Sequence, residues 1–475
     1  MHLMLFEGLV RLNPDRSIIP AQAQSITISP DGTIYTFHMR GSLWSNGETV
    51  TSFDFEKSWK DILNPDFPSP NAHLLYPIKN AEAAKGGTAP LNTVGIQAPD
   101  ASTLIITLER PTPYFLDLIS FCTFYPVNQS TDEMSPHWAY QAGPDFVSNG
   151  PYTLHSWKHN DEIILIKNPT YRTTGKVIAD SIHFSMISNE TTALNLFENH
   201  ELDMIGHPLS PLPVDALSDL NKKGLLKTQA MAGSTLIVFN VNQVPFTNAN
   251  IRKAFSYAIN REEIVQNITQ LGEQIATNAV PPILKKHNTS FFQDNDIAKA
   301  KELLALGLTE LNMTPSDLTD LTYSYNSSEI NRKLAQTIQQ QWLKNLGIHV
   351  KLAAIEHKIL INNLSKRSFT MAQTTWIAQY SDPLSILERF KFKSNIKNYA
   401  DWENPTYIQL LDQSTYETGN TRDLTLEKAE ALFLNEMPIA PIFHWNFAYI
   451  VQPHLKGIGV ASTGDIYFES LDVQR

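Results

Sequence analysis

Helical and strand-like segments alternate between residues 296 and 355, and this alternation constrains the fold more than any other feature of the sequence. DIAKAKELLALG at 296–307 and EINRKLAQTIQQQWLKNLG at 329–347 have apolar residues at helical spacing. Each segment ends in a glycine, which is typical of a helix C-cap. The strand-like segments LTYSYN and IHVKLAAI follow them. This pattern predicts an α/β unit with a partly parallel sheet.

The earlier part of the chain has a different pattern. Strand-like segments lie at 25–29, 34–40 and 103–110, and between them SFDFEKSWKDIL at 52–63 has the spacing of a helix that Thr51 or Ser52 caps. Residues up to about 144 therefore resemble a compact α+β unit. Further on, NANIRKAFSYAINREEIV predicts a helix with one buried stripe, formed by Ile251, Ala254, Phe255, Ala258 and Ile259.

Size and charge exclude several classes of protein. A chain of 475 residues exceeds what one hydrophobic core organises, so two or three lobes are expected. The formal net charge of -11 and the lack of a basic run argue against a nucleic-acid partner. No apolar run reaches the length of a membrane-spanning helix. Cys122 is the only cysteine, so the chain forms no intrachain disulfide and no thiolate metal cluster.

Common catalytic motifs are missing from the sequence. It contains no G-x-S-x-G elbow, P-loop, H-E-x-x-H or dinucleotide-binding glycine pattern. His155 and His159 have i,i+4 spacing, but the alternation around them predicts a strand and a turn, where this spacing does not bring two ligands to one metal. We therefore expect a protein that is not an enzyme and that uses no metal or other cofactor.

The segment WIAQYSDP at 376–383 combines large rings with polar side chains and ends in a proline. Two interpretations remain open from these residues alone. It is either the end of a buried strand that enters a ligand site, or an ordinary corner between a strand and a helix.

Several segments, taken in order, resemble one family, the extracytoplasmic solute-binding proteins of oligopeptide and dipeptide transport. They are LFEGLVRLNP at 5–14, TIYTFHMRGSLWSNGETVTSFDFEKSW at 33–59, SNGPYTLHSW at 148–157, KNPTYRTT at 167–174, FNVNQVPFTNANIRKAFSYAINREEIV at 239–265 and WIAQYSDP at 376–383. The resemblance covers almost the whole chain, and the combination in this order is specific.

The resemblance implies an α/β, three-lobed periplasmic binding protein (type II, cluster C-like) with mixed sheets and two main lobes joined by a hinge. Lobe I comprises residues 1–25, 145–250 and 446–475, lobe II is the insertion 26–144, and lobe III is 251–445. The expected ligand cleft lies between lobes I and III. Closure about a few hinge residues buries a ligand without rebuilding either lobe.

The resemblance also implies which residues bind the ligand. Trp376, Ile377 and Ala378 are expected to pair with the main chain of a peptide. The next position usually holds an aspartate for the α-amino group, but here it is Gln379, so either Asp382 takes that role or the ligand end differs. The remaining expected pocket positions are Asn71, His357 and Trp445, together with Asn331 and Gln373 where the family places groups for the carboxylate end.

The expected function is a monomeric receptor that binds oligopeptides and delivers them to the permease and ATPase subunits of an ABC importer. Its expected location is the periplasm or cell envelope, with a leader and first strand preceding the given chain and a lipid anchor possible in the full-length form. One alternative keeps the fold and changes the cargo to a modified peptide, a metallophore or a sugar derivative. A hydrolase or a surface adhesin is a further alternative.

Overall fold

The computed structural model describes residues 1–13, 15–135, 137–468 and 471–474. The chain forms two compact units. The first consists of residues 1–213 and 450–475, and the second of residues 214–449. The predicted division into three lobes, with boundaries at 25, 144, 250 and 445, stays a prediction.

The first unit contains small antiparallel sheets with short helices. One sheet has the strand order β3-β4-β6-β5, a second has the order β7-β8-β9, and β1 pairs with β2. The strands are β1 Val10–Leu12, β2 Ile18–Pro20, β3 Ala23–Ile28, β4 Ile34–Met39, β5 Ile96–Asp100, β6 Thr103–Thr107, β7 Tyr152–Lys158, β8 Glu162–Lys167, β9 Ser181–Ser185 and β10 Met204–Gly206. The α-helices are α1 His2–Leu5, α2 Ser52–Leu63, α3 Ala81–Lys85, α4 Phe115–Leu118, α5 Gln129–Met134 and α6 Glu190–Glu198.

Helix α2 confirms the predicted helix and its cap. Thr51 and Asp54 form a capping box, in which each side chain bonds the other residue's main-chain N–H. Phe55 and Trp59 are fully buried on the apolar face. The Trp59 Nε1–H donates to the main-chain oxygen of Phe124 at 2.9 Å, so burial of this ring leaves no indole donor unsatisfied.

The second unit is built on a mixed sheet with helices around it. Its strands are β11 Lys227–Phe239, β12 Gln274–Ile275, β13 Thr322–Asn326, β14 Lys351–Ile355, β15 Met371–Ile377 and β16 Ile439–Val451. Its helices are α7 Val214–Lys222, α8 Ala249–Tyr257, α9 Arg261–Ile264, α10 Ile297–Glu310, α11 Glu329–Leu346, α12 His357–Ser365, α13 Leu384–Leu387, α14 Pro405–Ser414 and α15 Gly419–Glu436, with a π-helical turn at Val265–Thr269 and a 3₁₀ turn at Glu388–Phe390. After it, the chain returns to the first unit with β17 Leu455–Lys456, β18 Gly459–Val460, β19 Ile466–Tyr467 and β20 Asp472–Val473.

The strand order in this sheet is β16-β11-β15-β13-β14, and β12 pairs with β16. β13 runs parallel to β14 and β15, whereas β11 runs antiparallel to β15 and β16. The prediction of a partly parallel sheet is confirmed. The predicted helical stripe is also confirmed, because Ile251, Ala254 and Phe255 are fully buried in a core that α8, α10 and α11 form against this sheet.

The two glycines predicted as C-caps have different roles. Gly347 ends α11 in the left-handed conformation, with φ of 74°, as expected. Gly307 lies inside α10, which continues to Glu310, so that prediction is wrong. A Cβ at Gly307 would lie 2.8 Å from the Ile251 side chain on α8 and 3.0 Å from Asn248 Oδ1. The glycine therefore permits close packing of two helices rather than ending one.

Candidate ligand-binding site

Strand β15 and the turn after it carry most of the predicted site, and the strand has one open edge. β11 pairs with it along its length, whereas the pairing with β13 on the other edge ends at Ala372. Ala378 N donates to Ala232 O of the β11 segment at 2.7 Å. Because successive residues of a strand direct their main-chain groups to opposite edges, Thr375 and Ile377 direct theirs away from β11. Thr375 is exposed, although the residues on both sides of it are buried.

Trp376 packs inward from this strand. Its ring is only 4% exposed, and its centroid lies 4.7 Å from that of Phe390. The Arg389 guanidinium carbon lies 5.3 Å from the centre of the Trp376 ring. Among the described residues the indole Nε1–H has no hydrogen-bond partner. Trp376 thus forms part of the wall beneath the strand end.

Ile377 and Trp445 meet above Gly233 on β11. A Cβ at Gly233 would lie 3.2 Å from Ile377 Cγ1 and 3.3 Å from Trp445 Cε3. Trp445 Nε1 donates to Thr235 Oγ1 at 2.8 Å, which fixes the partly buried ring. The structure therefore brings together two of the predicted residues, over a position where any added Cβ would be crowded.

Asp382 has a partner that the sequence did not indicate. Arg422 on α15 donates to both of its carboxylate oxygens at 2.8 Å, and Leu384 N donates to Oδ1 at 2.9 Å. The side chains of this ion pair are 9% and 10% exposed. Gln379 N donates to Ser385 Oγ at 2.8 Å. These contacts fix the turn after β15 and occupy the carboxylate of Asp382.

Gln373 and Asn331, both predicted to lie near the carboxylate end of the ligand, are adjacent in the structure. Gln373 Nε2 donates to Asn331 Oδ1 at 2.5 Å, and Tyr323 Oη donates to Gln373 Oε1 at 3.2 Å. Burial raises the pKa of Tyr323, so the phenol stays protonated and can donate. The chain of three side chains is uncharged. Next to it, a cavity of about 340 Å³ is lined by Tyr325, Ser327, Ser328, Glu329, Arg332 and Ala354.

The other two predicted residues belong to different units of the chain. His357 is exposed at the start of α12, directly after the N-cap residue Glu356. Asn71 belongs to the first unit, where it precedes a 3₁₀ turn at Ala72–Leu75. The roles of both residues in binding remain predictions.

Comparison with known proteins now identifies the family. The family model for bacterial extracellular solute-binding proteins, family 5 Middle, matches residues 17–398. The chain is a family 5 solute-binding protein.

Relatives of this solute-binding protein agree with that membership. The oligopeptide-binding protein OppA of Bacillus subtilis is 41% identical over 98% of this chain and 86% of its own length. The murein tripeptide binding protein MppA of Escherichia coli has a TM-score of 0.88 at 28% identity, covering 100% of this chain and 93% of that one. Haemophilus influenzae OppA, solved with the peptide RPPGFSPFR, has a TM-score of 0.87 at 26% identity, covering 100% and 94%.

These likenesses confirm the predicted family and the α/β periplasmic binding protein fold with mixed sheets. The family consists of binding proteins rather than enzymes. In the part of the chain that the structure describes, no helix is both long and apolar enough to cross a membrane. The same residues contain no group of three or more side chains placed to hold a metal ion.

A hydrogen-bonded chain of buried polar side chains lies next to the site and was not predicted from the sequence. Ser234, opposite Trp376 on β11, bonds His444 Nδ1 at 2.7 Å, and His444 Nε2 bonds Asn278 Oδ1 at 2.5 Å. Asn278 accepts from Nε2, so the neutral imidazole carries its proton there and Nδ1 accepts from the Ser234 hydroxyl. The alternation of FHWNF along β16 places His444 on the face opposite the three aromatic rings, so the sequence carried no signal that this side chain is buried.

This chain resembles a serine, histidine and amide triad, but its chemistry differs from that of a hydrolase. Burial, with the nearby Lys285 charge, lowers the pKa of His444 to about 3. A base this weak is poorly matched to deprotonating a serine hydroxyl at neutral pH. Ser234 is itself only 4% exposed in the centre of the sheet. The chain therefore satisfies buried polar groups and fixes β11, β16 and the Asn278 loop to one another.

Proposed function

We propose that this solute-binding protein captures oligopeptides by their main chain and delivers them to an ABC importer. The open edge of β15 is the observation that carries the proposal. A peptide that lies along Thr375 and Ile377 would extend the sheet as an added strand, and main-chain hydrogen bonds would supply affinity for many sequences. The family membership and the relatives named for oligopeptides support this role.

The side chains around β15 would then have distinct tasks. Trp376, Ile377, Ala378 and Trp445 would form the apolar wall of the site, beside the paired strands β11 and β15. Gln379, Gln373 and Asn331 offer neutral amides, which bond to ligand groups but do not neutralise charge. Asp382 keeps the turn in place through Arg422, so we assign it a structural role. Asn71 and His357 would contribute to side-chain pockets.

The proposed setting is that of an extracytoplasmic receptor. The protein would act as a monomer without a cofactor, and the permease and ATPase subunits of the importer would be its partners. The proposed location is the periplasm or cell envelope.

A second candidate keeps the fold and changes the cargo to a modified peptide, a metallophore or a sugar derivative. The uncharged chain of Tyr323, Gln373 and Asn331 favours it, because none of these three side chains neutralises a free carboxylate buried against them, and that burial costs free energy. A ligand with a blocked end avoids that cost.

Native mass spectrometry of the freshly purified protein tests the proposal. We expect bound masses that differ by amino-acid residue masses, which a receptor of loose sequence specificity would retain from its host. A single bound mass without such spacing would support the second candidate. Turnover of a pooled peptide library would support a hydrolase instead.

A further inference from the structure

The turn after β15 carries a positive charge on the open edge of the strand. Arg389 Nη2 donates to Ile377 O at 3.0 Å. Since Ala378 N points to β11, Ile377 O points to the opposite edge, where the proposed peptide would lie. The guanidinium therefore sits beside the proposed ligand position and stacks on the Trp376 ring.

In the part of the chain that the structure describes, no carboxylate neutralises this guanidinium. Among the described residues, no Asp or Glu oxygen lies within 4.0 Å of an Arg389 nitrogen. The two acidic residues nearest in sequence contact other groups, because Asp382 pairs with Arg422 and Glu388 lies 3.3 Å from Tyr380 Oη. The bond to Ile377 O uses one of the N–H groups of a side chain that has five. The remaining donors can receive an anion.

A second cation adds to the positive potential. Burial and the neighbouring Arg389 charge lower the pKa of Lys397 to about 8, and burial lowers the pKa of Arg389 to about 10. Both residues therefore stay largely charged at neutral pH while they are partly buried. Partly buried like charges destabilise one another, and an anion beside Arg389 would relieve part of that repulsion.

We propose that Arg389 makes the end of the peptide site selective for an acidic group of the ligand, so that acidic peptides are the preferred substrate class. This inference rests on the proposed function. The neutral Gln379, in place of the expected aspartate, is consistent with it, because a carboxylate at that position would repel the same ligand. A guanidinium can bind a carboxylate through two parallel hydrogen bonds.

Calorimetric titration with alanine tetrapeptides that carry one Glu or one Gln at each position tests this inference. We expect Glu to bind about fivefold more tightly than Gln at one position, because a hydrogen bond between charged groups is stronger than one to a neutral amide. R389Q should abolish the preference. K393Q makes the same change of charge at an exposed lysine of the same segment and should retain it.

The outcomes separate the two proposals. Tetrapeptides that bind without any preference for Glu, or a preference that persists in folded R389Q, would overturn the inference and leave the proposed function intact. Failure of every tetrapeptide to bind would overturn the proposed function as well. If circular dichroism shows that R389Q is unfolded, R389K replaces it, since a lysine keeps the charge but cannot bind a carboxylate through two parallel hydrogen bonds, so the preference for Glu should weaken. A preference unchanged in R389K would then contradict the inference.

Discussion

Asp382 forms a buried ion pair that fixes the turn after β15. Its position in WIAQYSDP correctly placed it just after the strand that carries the site. Its partner, Arg422, follows 40 residues later on a helix, and no local pattern links the two. Side-chain roles that depend on distant contacts therefore could not be predicted, whereas the strand end could.

Replacing Asp382 with Asn should destabilise the protein by about 3–5 kcal/mol, because the buried Arg422 guanidinium loses its counter-ion. The free energy of unfolding from urea titration measures this change. Glu302 provides a matched control, since it pairs with Lys299 at 2.8 Å on an exposed surface. Its replacement by Gln should cost less than about 1 kcal/mol. Equal costs for the two variants would contradict the structural role of Asp382.

At the scale of the element, periodicity identified helices better than it identified their ends. The buried stripe of α8 and the fully buried Trp342 of α11 follow from apolar spacing alone. Gly307 was wrongly predicted to end α10, because a glycine that ends a helix and a glycine that lets two helices approach look the same after an apolar run. Only the neighbouring helix, far away in sequence, distinguishes them.

Gly307→Ala should destabilise the protein by about 1–3 kcal/mol, because the added methyl group overpacks the α8–α10 contact. The gain in helix propensity, about 1 kcal/mol, offsets only part of this cost. Gly175→Ala is the control, since a Cβ there has no neighbour within 4 Å. Thermal unfolding of both variants measures the difference, and a stabilised Gly307→Ala protein would show that α8 and α10 are not in tight contact.

The hydrogen-bonded chain of Ser234, His444 and Asn278 makes the stability of the protein depend on pH. The folded pKa is about 3 and the ordinary value is 6.5, so below pH 6.5 the unfolded state binds a proton that the folded state does not. Stability is therefore lost as the pH falls from 6.5 towards 3. At pH 5 the loss amounts to about 2 kcal/mol.

Comparison of the wild-type protein with His444→Gln separates the contribution of His444 to the pH dependence of stability from that of the carboxylates. The wild-type protein should have a higher free energy of unfolding than the variant at pH 7, and this difference should be about 2 kcal/mol smaller at pH 5, because the variant lacks the titrating imidazole. Urea titrations at the two pH values measure it. An advantage that is independent of pH would mean that His444 is not buried in its neutral form.

For the whole molecule, the order of motif blocks along the chain was sufficient to predict the family and the fold. The α/β fold with mixed sheets follows from segments spread over almost the entire sequence, each too short to be specific alone. The ligand could not be predicted in the same way. Binding preferences depend on a few side chains, and here Gln379, Gln373 and Asn331 differ from the charged groups that the resemblance suggests.

The central claim is that the protein binds the ligand through the ligand's main chain. Calorimetry with an alanine tetrapeptide, its single side-chain variants and its backbone N-methylated forms tests this most directly. We expect side-chain changes to alter the affinity by less than about tenfold, and N-methylation of a central amide to lower it by about tenfold or more, since it removes a donor and blocks strand pairing. N-methylated peptides that bind as tightly as the parent would contradict the account.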